Sequence, residues 1–561
     1  MQSAPYADGE LYKALDELGV VDKDKLAAAA ESSRKLGKPL GEVLLDRNLI
    51  DDEHLGQVVA DLISVPLIRL AEVKIADDVL AIIPEVVARK QRIIAFARDG
   101  GGLKLAMADP TDKETAGFVA KKAGEPVAVY LATQRDIGEA MNLYRKDLQK
   151  NIDQMLRESV AEAVKNKDLE APISAMLDLL IAYAYANRAS DIHIEPGKKA
   201  STVRFRIDGV LHEVLDLPKN LHGQLVSKVK VSAKLRTDEK MAAQDGKMQY
   251  SLPEEELDIR VSIVPIVNGE KVVMRLLSSK ARRFTLADLG MNKSDLAKVT
   301  NGFNKPYGMV LSTGPTGSGK TTTIYAILQI VNVPDVNIAT IEDPVEYDVE
   351  GVNQIQVNSK TNLTFANGLR AILRQDPNVI FVGEIRDEET AGIAVNSAMT
   401  GHLVLSTLHT NDAATTLPRL MDMGTEPYLV ASTVNVIVGQ RLVRRICSRC
   451  RVSEEENAES MARNFGRKLV TKYWGEGKRA RVYRGKGCPV CQKSGYSGRI
   501  GLFEVLVVSE GIRELIMAKE NADIVRERAV KEGMTTMVDD GLAKVQQGMT
   551  TMDEVLRVTK I

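Results

Sequence analysis

The chain has 561 residues, which is too long for a single hydrophobic core and predicts about three or four domains. Its 44% apolar and 27% charged residues are typical of a soluble globular protein. With 75 basic and 76 acidic residues the net charge is −1, so the overall charge gives no support for a nucleic-acid partner.

The N-terminal residues do not resemble a targeting signal. Residues 2–10 are polar and acidic and lack the charged and then apolar pattern of a secretory signal. The most apolar helical segment, residues 173–186, is shorter than the ~20 residues that cross a bilayer. We interpret this segment as a core helix, so any contact with a membrane is expected to be peripheral.

The first 145 residues contain a repeat with a period of 29 residues. The segment LDELGVVDKDKL, at 15–26, aligns with LLDRNLIDDEHL, at 44–55. Each unit predicts a helix, a turn and a second helix capped by Asp22 or Asp51. Strands and helices are predicted to follow, so residues 1–145 are predicted to form an N-terminal domain. The charged residues 146–170 fit either a linker or an exposed helix.

Residues 171–285 are predicted to form an α+β domain. In the segment STVRFRIDGVLHEV, Val203, Phe205 and Ile207 alternate with Arg204 and Arg206. This alternation is typical of a strand with one buried face, and ELDIRVSIVPI alternates in the same way.

Residues 286–446 show a different pattern, with apolar runs that do not alternate. The runs occur in GMVLST, VNIATIE, NVIFVGE and HLVLSTL, and helical segments separate them. Such runs are typical of parallel strands that helices cover on both faces. The sequence therefore predicts an α/β domain here.

A phosphate-binding loop follows the first of these strands. Residues 314–321 match the pattern G-x-x-x-x-G-K-[ST] between a strand and a helix. Glycines let backbone N–H groups turn toward phosphate oxygens, and the helix N-terminus adds partial positive charge. Lys320 is expected to reach the phosphates of ATP, and the Thr321 hydroxyl to bind Mg²⁺. The predicted nucleotide-binding residues are Gly314, Pro315, Thr316, Gly317, Ser318, Gly319, Lys320, Thr321 and Thr322.

Acidic residues end two other predicted strands. Glu342, Asp343 and Glu346 follow one strand, and Glu384 and Asp387 follow the other. Because ligands bind beyond the carboxyl ends of parallel strands, both groups are expected beside the phosphate loop. Glu342 and Glu384 are alternative candidates for activating water and binding the metal, and the sequence does not decide between them. The other interpretation is that these carboxylates cap the helices that follow.

Two histidines flank the strand in TGHLVLSTLHTND. His402 precedes the strand and His409 follows it. A histidine beside the nucleotide can sense the γ-phosphate by donating a hydrogen bond. The alternative is that either histidine is an ordinary hydrogen-bonding core residue.

All four cysteines fall in two C-x-x-C pairs, Cys447 with Cys450 and Cys488 with Cys491. Four thiolates form a closed tetrahedral Zn²⁺ site, which has a structural role. The 37 residues between the pairs exceed the usual spacing, so a looped-out subdomain is expected at 447–498. Redox-active or unliganded thiols are the alternative. Residues 499–561 are predicted to be helical.

In this order, the phosphate loop, IEDPVEY, LRQDPNVIFVGEIRD and TGHLVLSTLHTND resemble the motifs of the type II secretion and type IV pilus assembly ATPases. The segments ASDIHIEP, VRFRIDGVLHEV, AAQDGKM and GQRLVRRIC extend the resemblance over residues 171–561. It implies a RecA-like P-loop NTPase domain, a preceding α+β domain of PAS-like fold and a zinc-binding subdomain. It also implies that residues 1–145 are an N-terminal regulatory or docking domain of helical-repeat/α+β fold. The zinc subdomain and the N-terminal domain are typical of assembly motors rather than retraction motors.

The resemblance also implies a function. It implies a cytoplasmic, ATP-hydrolysing homohexamer that is peripheral at the inner membrane. This hexamer would drive an inner-membrane platform protein, with its associated cytoplasmic assembly proteins, to extend a type IV pilus or a type II secretion pseudopilus. Arginines reach across the subunit interface in such motors, and we predict that Arg204 and Arg206 do so here. His409 is predicted to sense the γ-phosphate. This chain departs from the family at four positions where arginine is common, so we do not expect an arginine finger there. These positions are Lys228, Lys240, Met241 and Lys247.

The N-terminal repeat resembles a domain of related motors that can bind cyclic di-GMP. The pattern there begins with Arg-Leu-Gly, whereas this chain has Glu-Leu-Tyr at 10–12 and Pro-Leu-Gly at 39–41. Because the phosphate-binding arginines are absent, we do not expect cyclic di-GMP binding. We expect this domain to dock to a membrane-associated partner instead. Two other functions stay open at this point: a hexameric RecA-like nucleic-acid translocase, and a scaffold that binds nucleotide without turnover.

Overall fold

The computed structural model describes residues 5–36, 39–47, 49–73, 75–144, 170–252, 255–278, 284–488, 491 and 493–559. Apart from residue 170, the segment predicted as a linker or exposed helix lies outside the described residues. The chain divides into two compact units, Met141–Arg282 and a unit that combines Met1–Ala140 with Arg283–Ile561. Among the residues that the structure describes, none of the helices combines the length and the apolar character needed to cross a membrane.

The N-terminal domain begins with four helices, which confirm the predicted repeat. Leu15 and Leu44 are equivalent positions of the two units, and both are fully buried in one core. Asp51 caps the fourth helix by accepting a hydrogen bond from the backbone N–H of His54 at 2.8 Å, and Asp22 caps the second helix. The four helices are Asp8–Leu18, Lys23–Leu36, Leu40–Asp46 and Asp52–Leu62.

A small mixed sheet follows these helices. Strand β2 pairs antiparallel with β1 and parallel with β3. The strands are β1 (Ile93–Asp99), β2 (Gly102–Met107) and β3 (Val127–Leu131), and the helices are Asp77–Leu80, Glu85–Gln91, Lys113–Ala123 and Gln134–Ala140.

Among its described residues, the unit Met141–Arg282 contains a six-stranded antiparallel sheet and two α-helices. Val203 and Phe205 are buried against helix Glu170–Ala186, the apolar segment that was predicted to be a core helix. The order of the strands is β6-β5-β4-β9-β8-β7. This is an α+β arrangement, and its PAS-like character stays a prediction. The elements are helices Glu170–Ala186 and Lys219–Ser232 and strands β4 (Ala189–Pro196), β5 (Ala200–Ile207), β6 (Val210–Pro218), β7 (Gln244–Ser251), β8 (Glu256–Ile266) and β9 (Gly269–Ser278).

A seven-stranded sheet organises the rest of the second unit, in the order β12-β11-β13-β14-β10-β15-β18. All neighbours are parallel except β15 and β18. Met309 and Leu311 belong to the core on one face of β10, and Val310 to the core on the other face. The two covered faces confirm the α/β prediction. The strands are β10 (Gly308–Thr313), β11 (Ile338–Glu342), β12 (Val352–Gln356), β13 (Val379–Val382), β14 (Leu403–Leu408), β15 (Val434–Ile446), β16 (Arg451–Asn457), β17 (Arg479–Gly485) and β18 (Tyr496–Val507).

Helices precede, separate and follow these strands. Two of them lie between β16 and β17, so the residues between the cysteine pairs have a fold of their own, a two-stranded antiparallel sheet with two helices. The helices are Lys293–Phe303, Lys320–Val331, Phe365–Ile372, Glu388–Met399, Thr416–Asp422, Pro427–Thr433, Ala458–Phe465, Arg467–Trp474, Glu510–Met517, Ala522–Lys531, Met537–Gln546 and Met552–Thr559.

The prediction that residues 499–561 are helical is wrong for their first part. Tyr496–Val507 is strand β18, which adds to the sheet beside β15, with Val436 opposite Val507 and Arg444 opposite Arg499. The partner strand lies before the zinc subdomain, so the pairing is not visible as a local pattern. Helices begin only at Glu510.

Candidate nucleotide and metal sites

The order of the strands brings the predicted site residues to one edge of the sheet. Strand β14 lies between β13 and β10, and all three run parallel. Glu384 follows β13, His409 follows β14, and the phosphate loop follows β10. The carboxyl ends of three adjacent strands therefore carry the three groups, as expected for a parallel α/β sheet.

The phosphate loop connects β10 to helix Lys320–Val331. Gly314 and Gly319 have φ angles of 146° and 89°, a region that side chains disfavour. A Cβ atom at Gly314 would lie 2.4 Å from the carbonyl oxygen of Gln440 on β15. The loop therefore requires glycine at this position both for its backbone angles and for its close approach to the neighbouring strand.

The Lys320 side chain contacts the first two residues of this loop. Its side chain is largely buried, and its Nζ atom donates to the carbonyl oxygens of Gly314 at 2.7 Å and Pro315 at 3.2 Å. Burial lowers the pKa of the ammonium group to about 8, with Glu384 acting in the opposite direction and Arg441 in the same direction. A phosphate group would compensate this partly desolvated cation.

Glu384, His409 and Arg386 form a polar cluster beside the loop. The carboxylate of Glu384 lies 3.0 Å from Nε2 of His409 and 2.5 Å from the Arg386 guanidinium. The Glu384 side chain is only 12% exposed, whereas that of His409 is 46% exposed and accessible to a ligand. Hydrogen bonding to Glu384 raises the pKa of Arg386. The sequence analysis missed Arg386, although its position two residues after Glu384 could have indicated it.

Glu342 has a different environment, although it also ends a strand. Its carboxylate accepts hydrogen bonds from the hydroxyls of Tyr325 at 2.5 Å and Thr340 at 2.6 Å and from the amide of Gln354 at 3.1 Å. The side chain is 2% exposed, and this burial raises its pKa, which the three donors oppose. These contacts fix Glu342 between β11, β12 and helix Lys320–Val331.

Two other predicted positions are separate from this cluster. Asp387 caps helix Glu388–Met399 by accepting from the N–H of Thr390 at 2.8 Å, so the helix-cap interpretation is correct for this carboxylate. His402 lies before β14, at the opposite end of the strand from His409, and its Nδ1 is 3.0 Å from the carbonyl oxygen of Ser397. It is therefore a local hydrogen-bonding residue.

Gln440 is a residue near the loop that the sequence analysis did not identify. Its Oε1 accepts from the hydroxyl of Thr323 at 2.6 Å. Its Nε2 is buried, has no hydrogen-bond partner among the described residues, and lies 2.6 Å from the place of a Cβ at Gly319. Gln440 therefore fills the space that Gly319 leaves open. Nothing in the local sequence indicates this contact, because the two residues belong to distant segments.

Arg204 and Arg206 lie on β5 in the unit Met141–Arg282. Arg204 forms an ion pair with Glu195, and Arg206 donates to the carbonyl oxygen of Gly209 at 3.1 Å and lies 3.5 Å from Asp191. Both guanidinium groups therefore have partners within their own unit. A role for them toward a nucleotide stays a prediction.

The four cysteines come together as their spacing predicts. The ligand atoms of Cys447, Cys450, Cys488 and Cys491 all lie within 4.8 Å of one another. The Sγ atom of Cys491 also accepts from the backbone N–H groups of Cys488 at 3.2 Å and Gly495 at 3.3 Å. Such donors stabilise a thiolate, and a compact set of four thiols suits a tetrahedral zinc ion.

Comparison with known proteins shows the family of this chain. A sequence model of the family described as "Type II/IV secretion system protein" matches residues 166–557, and a model of the MshEN domain matches residues 63–150. Type IV pilus assembly ATPase PilB of Myxococcus xanthus is 37% identical over 565 residues, which cover 98% of this chain and 98% of that protein. Type II secretion system ATPase E of Vibrio cholerae is 45% identical over 436 residues, 76% of this chain and 84% of that protein.

Solved structures are similar as well. The ATPase DotB of Legionella pneumophila aligns with a TM-score of 0.50 and 21% sequence identity, over 69% of this chain and 95% of that one. At this level of identity the likeness concerns the fold alone. It supports the α/β ATPase fold that the sequence analysis predicts.

Proposed function

The chain belongs to the type II/IV secretion system protein family, and from this premise we propose that it is a hexameric motor that hydrolyses ATP to extend a type IV pilus or a secretion pseudopilus. The observation that carries the proposal is the convergence of the phosphate loop, Glu384, Arg386 and His409 at one sheet edge, in a chain whose full-length relative is an assembly ATPase. The relatives named here are pilus assembly and secretion ATPases, so we do not retain the nucleic-acid translocase or the scaffold without turnover.

The described residues suit ATP with Mg²⁺. Backbone N–H groups of the loop and Lys320 would bind the phosphates, and the Thr321 hydroxyl with the Glu384 carboxylate supplies oxygen ligands of the kind that Mg²⁺ prefers. When bound, the metal would neutralise charge on the phosphates. Glu384 would orient a water molecule and accept its proton as the water attacks the γ-phosphorus and ADP leaves, and His409 would sense the γ-phosphate. Glu342, which has three internal donors, would instead fix β11 and β12.

A zinc ion fits the four cysteines, because their sulfur atoms already lie as close together as a tetrahedral site requires. With four protein ligands there is no open position for a substrate. We propose that zinc holds the two ends of the subdomain at 447–498 together.

We propose that six copies assemble with their active sites between subunits, at the cytoplasmic face of the inner membrane, where they act on a platform protein. Arg204 and Arg206 are the proposed cross-subunit residues. Their ion pairs with Glu195 and Asp191 would have to open for either guanidinium to reach a neighbour's nucleotide. Closing of each site would then rotate one domain against the next.

The N-terminal domain is proposed to dock to membrane-associated assembly proteins. Part of it matches the MshEN domain. The expectation that it does not bind cyclic di-GMP is not confirmed by that match and stays a prediction. It depends on the absence of arginine at residues 10–12 and 39–41.

Replacing Glu384 by glutamine tests the proposed reaction. We expect Glu384→Gln to lower kcat for ATP hydrolysis about 100-fold, because the amide cannot accept a proton, while ATP still binds. Glu342→Gln is the matched comparison, and we expect it to lower kcat by less than about 10-fold, because the Glu342 side chain is buried against Tyr325, Thr340 and Gln354 and does not face the His409 cluster. Steady-state phosphate release and titration with a fluorescent ATP analogue measure the two effects.

The same variants test the motor in cells. A chromosomal Glu384→Gln substitution should abolish the assembly of surface fibres, or the secretion of proteins that depends on the pseudopilus. The Glu342→Gln strain should retain measurable assembly or secretion. If the Glu384→Gln strain assembles fibres and secretes like the parent, the proposed function is wrong. If Glu342→Gln is the more severe variant in the enzyme assay, the roles of the two glutamates are reversed.

A further inference from the structure

We infer that Arg526 is a positioning residue for ATP hydrolysis, which acts through Asp412 on the loop that carries His409. This inference depends on the proposed reaction and extends it to a residue of the C-terminal helices. The loop consists of residues 409–415, between β14 and helix Thr416–Asp422, and we call it the histidine loop.

The first half of the histidine loop is attached to the strand that precedes the phosphate loop. Thr313, the last residue of β10, donates from its hydroxyl to the carbonyl oxygen of Thr410 at 3.1 Å. The backbone N–H of Thr410 donates to the same hydroxyl at 3.2 Å. His409 thus lies next to the residue that joins the histidine loop to the end of β10.

The second half is attached to elements that follow the zinc subdomain. Asp412 Oδ2 lies 2.6 Å from Nη2 of Arg526, which belongs to helix Ala522–Lys531. Asp412 Oδ1 accepts from the N–H of Thr415 at 2.8 Å. Glu504, which is buried on β18, accepts from the N–H of Ala413 at 2.7 Å. Two side chains from the C-terminal part therefore fix a loop of seven residues.

Part of the histidine loop borders open space next to the beginning of helix Ala522–Lys531. Thr410, Asn411 and Thr415 line an open groove of about 420 Å³, together with Asn521 and Ala522. Ala413 and Ala414 of the loop are packed in the hydrophobic core, and the polar contacts add to this packing by fixing the residues that face the groove. The Asp412 side chain is 19% exposed, so its pairing with Arg526 is less screened than an ordinary surface ion pair.

The position of Asp412 gives this ion pair a catalytic consequence. Asp412 is three residues from His409, whose imidazole contacts Glu384 at 3.0 Å. A shift of about 1 Å in a catalytic group can cost on the order of 100-fold in rate, so a loosened loop affects turnover more than binding. Through the ion pair of Asp412 and Arg526, a movement of the C-terminal helices would also change the rate of ATP hydrolysis.

Substitutions of Arg526 test this inference in the full-length protein. We expect Arg526→Gln to lower kcat about 10-fold and to change KM for ATP by less than about 2-fold. Arg526→Lys keeps the charge and should recover kcat to within about 3-fold of the wild type, although lysine lacks the fork of arginine. Arg528→Gln is the control, because Arg528 is on the same helix but forms an exposed pair with Glu532. It should hydrolyse ATP like the wild type.

A His409→Ala background separates positioning from a general structural effect. If Arg526 acts through the histidine loop, Arg526→Gln should lower kcat by less than about 2-fold when His409 is already alanine. An equal loss in both backgrounds would overturn the inference, as would a wild-type kcat in Arg526→Gln. Absence of hydrolysis by the wild-type protein would overturn the proposed function as well, so the two failures are distinguishable. The thermal unfolding midpoints of Arg526→Gln and Arg528→Gln should agree. A lower midpoint in Arg526→Gln alone would show that Arg526 has a structural role instead.

Discussion

Replacement of Lys320 by alanine is expected to lower kcat/KM for ATP about 1000-fold, the largest effect of any single substitution in the nucleotide site. The variant loses the cation that is proposed to bind the phosphates. It also loses the bonds from Nζ to the carbonyl oxygens of Gly314 and Pro315, which hold the loop. Phosphate release at several ATP concentrations and equilibrium binding of an ATP analogue measure the loss.

The matched control is Lys360→Ala, which removes an exposed lysine that follows β12. It should hydrolyse ATP at the wild-type rate and unfold at the same temperature. Turnover by Lys320→Ala within about 10-fold of the wild type would contradict the assignment of this loop as the phosphate site.

Nucleotide affinity is also expected to depend on pH. Burial lowers the pKa of Lys320 to about 8 in the nucleotide-free protein, and only the protonated form attracts phosphate. Bound phosphate favours the charged form and raises this pKa. Affinity should therefore be constant below pH 7 and fall as pH rises through about 8, by at most about 10-fold per pH unit for one proton. Isothermal titration with ADP between pH 6.5 and 9.5 measures the dependence, and an affinity independent of pH over that range would contradict it.

The second large effect is expected from zinc removal. Substitution of Cys447 by serine, or exhaustive chelation, should unfold the subdomain at 447–498 and lower the thermal unfolding midpoint by more than about 10 °C. Structural zinc sites supply on the order of 10 kcal/mol of apparent binding energy, and binding and local folding are coupled. Inductively coupled plasma analysis should give about one zinc per chain for the wild type and much less for Cys447→Ser.

The control for the zinc experiment is Ser448→Ala, next to Cys447 but exposed and without a ligand atom for the metal. It should retain zinc and the wild-type unfolding midpoint. A wild-type protein that contains no zinc and melts identically with and without chelator would contradict the structural metal site. In that case the alternative of unliganded or redox-active thiols would apply.

Several features of the molecule could be predicted from the sequence because their causes are local. The glycines, Lys320 and Thr321 are contiguous, so the phosphate loop is recognisable without knowing what surrounds it. The apolar runs of β10, β11, β13 and β14 reflect burial on both faces, and the 29-residue repeat reflects equivalent core positions such as Leu15 and Leu44. The cysteine pairs likewise carry their ligand spacing within four residues each.

Other features depend on contacts between distant segments, and for these the sequence was not sufficient. The residues from Tyr496 to Val507 form a strand because they pair with β15 across the zinc subdomain, whereas local pattern favoured helices. The two glutamates that follow strands with similar sequences also have different partners. The Glu342 carboxylate accepts hydrogen bonds from Tyr325, Thr340 and Gln354, whereas the Glu384 carboxylate contacts His409.

The sequence by itself thus determined the chemistry of this protein: a phosphate loop, carboxylates at strand ends, a set of four thiols and the family to which they belong. Only the tertiary structure decided which carboxylate contacts His409 and which C-terminal arginine contacts the loop beside it. The physical reason is that side-chain pairing follows from strand order and packing, and these bring together Asp412 and Arg526, which are 114 positions apart. Residue type and local periodicity carry no information about such a pair.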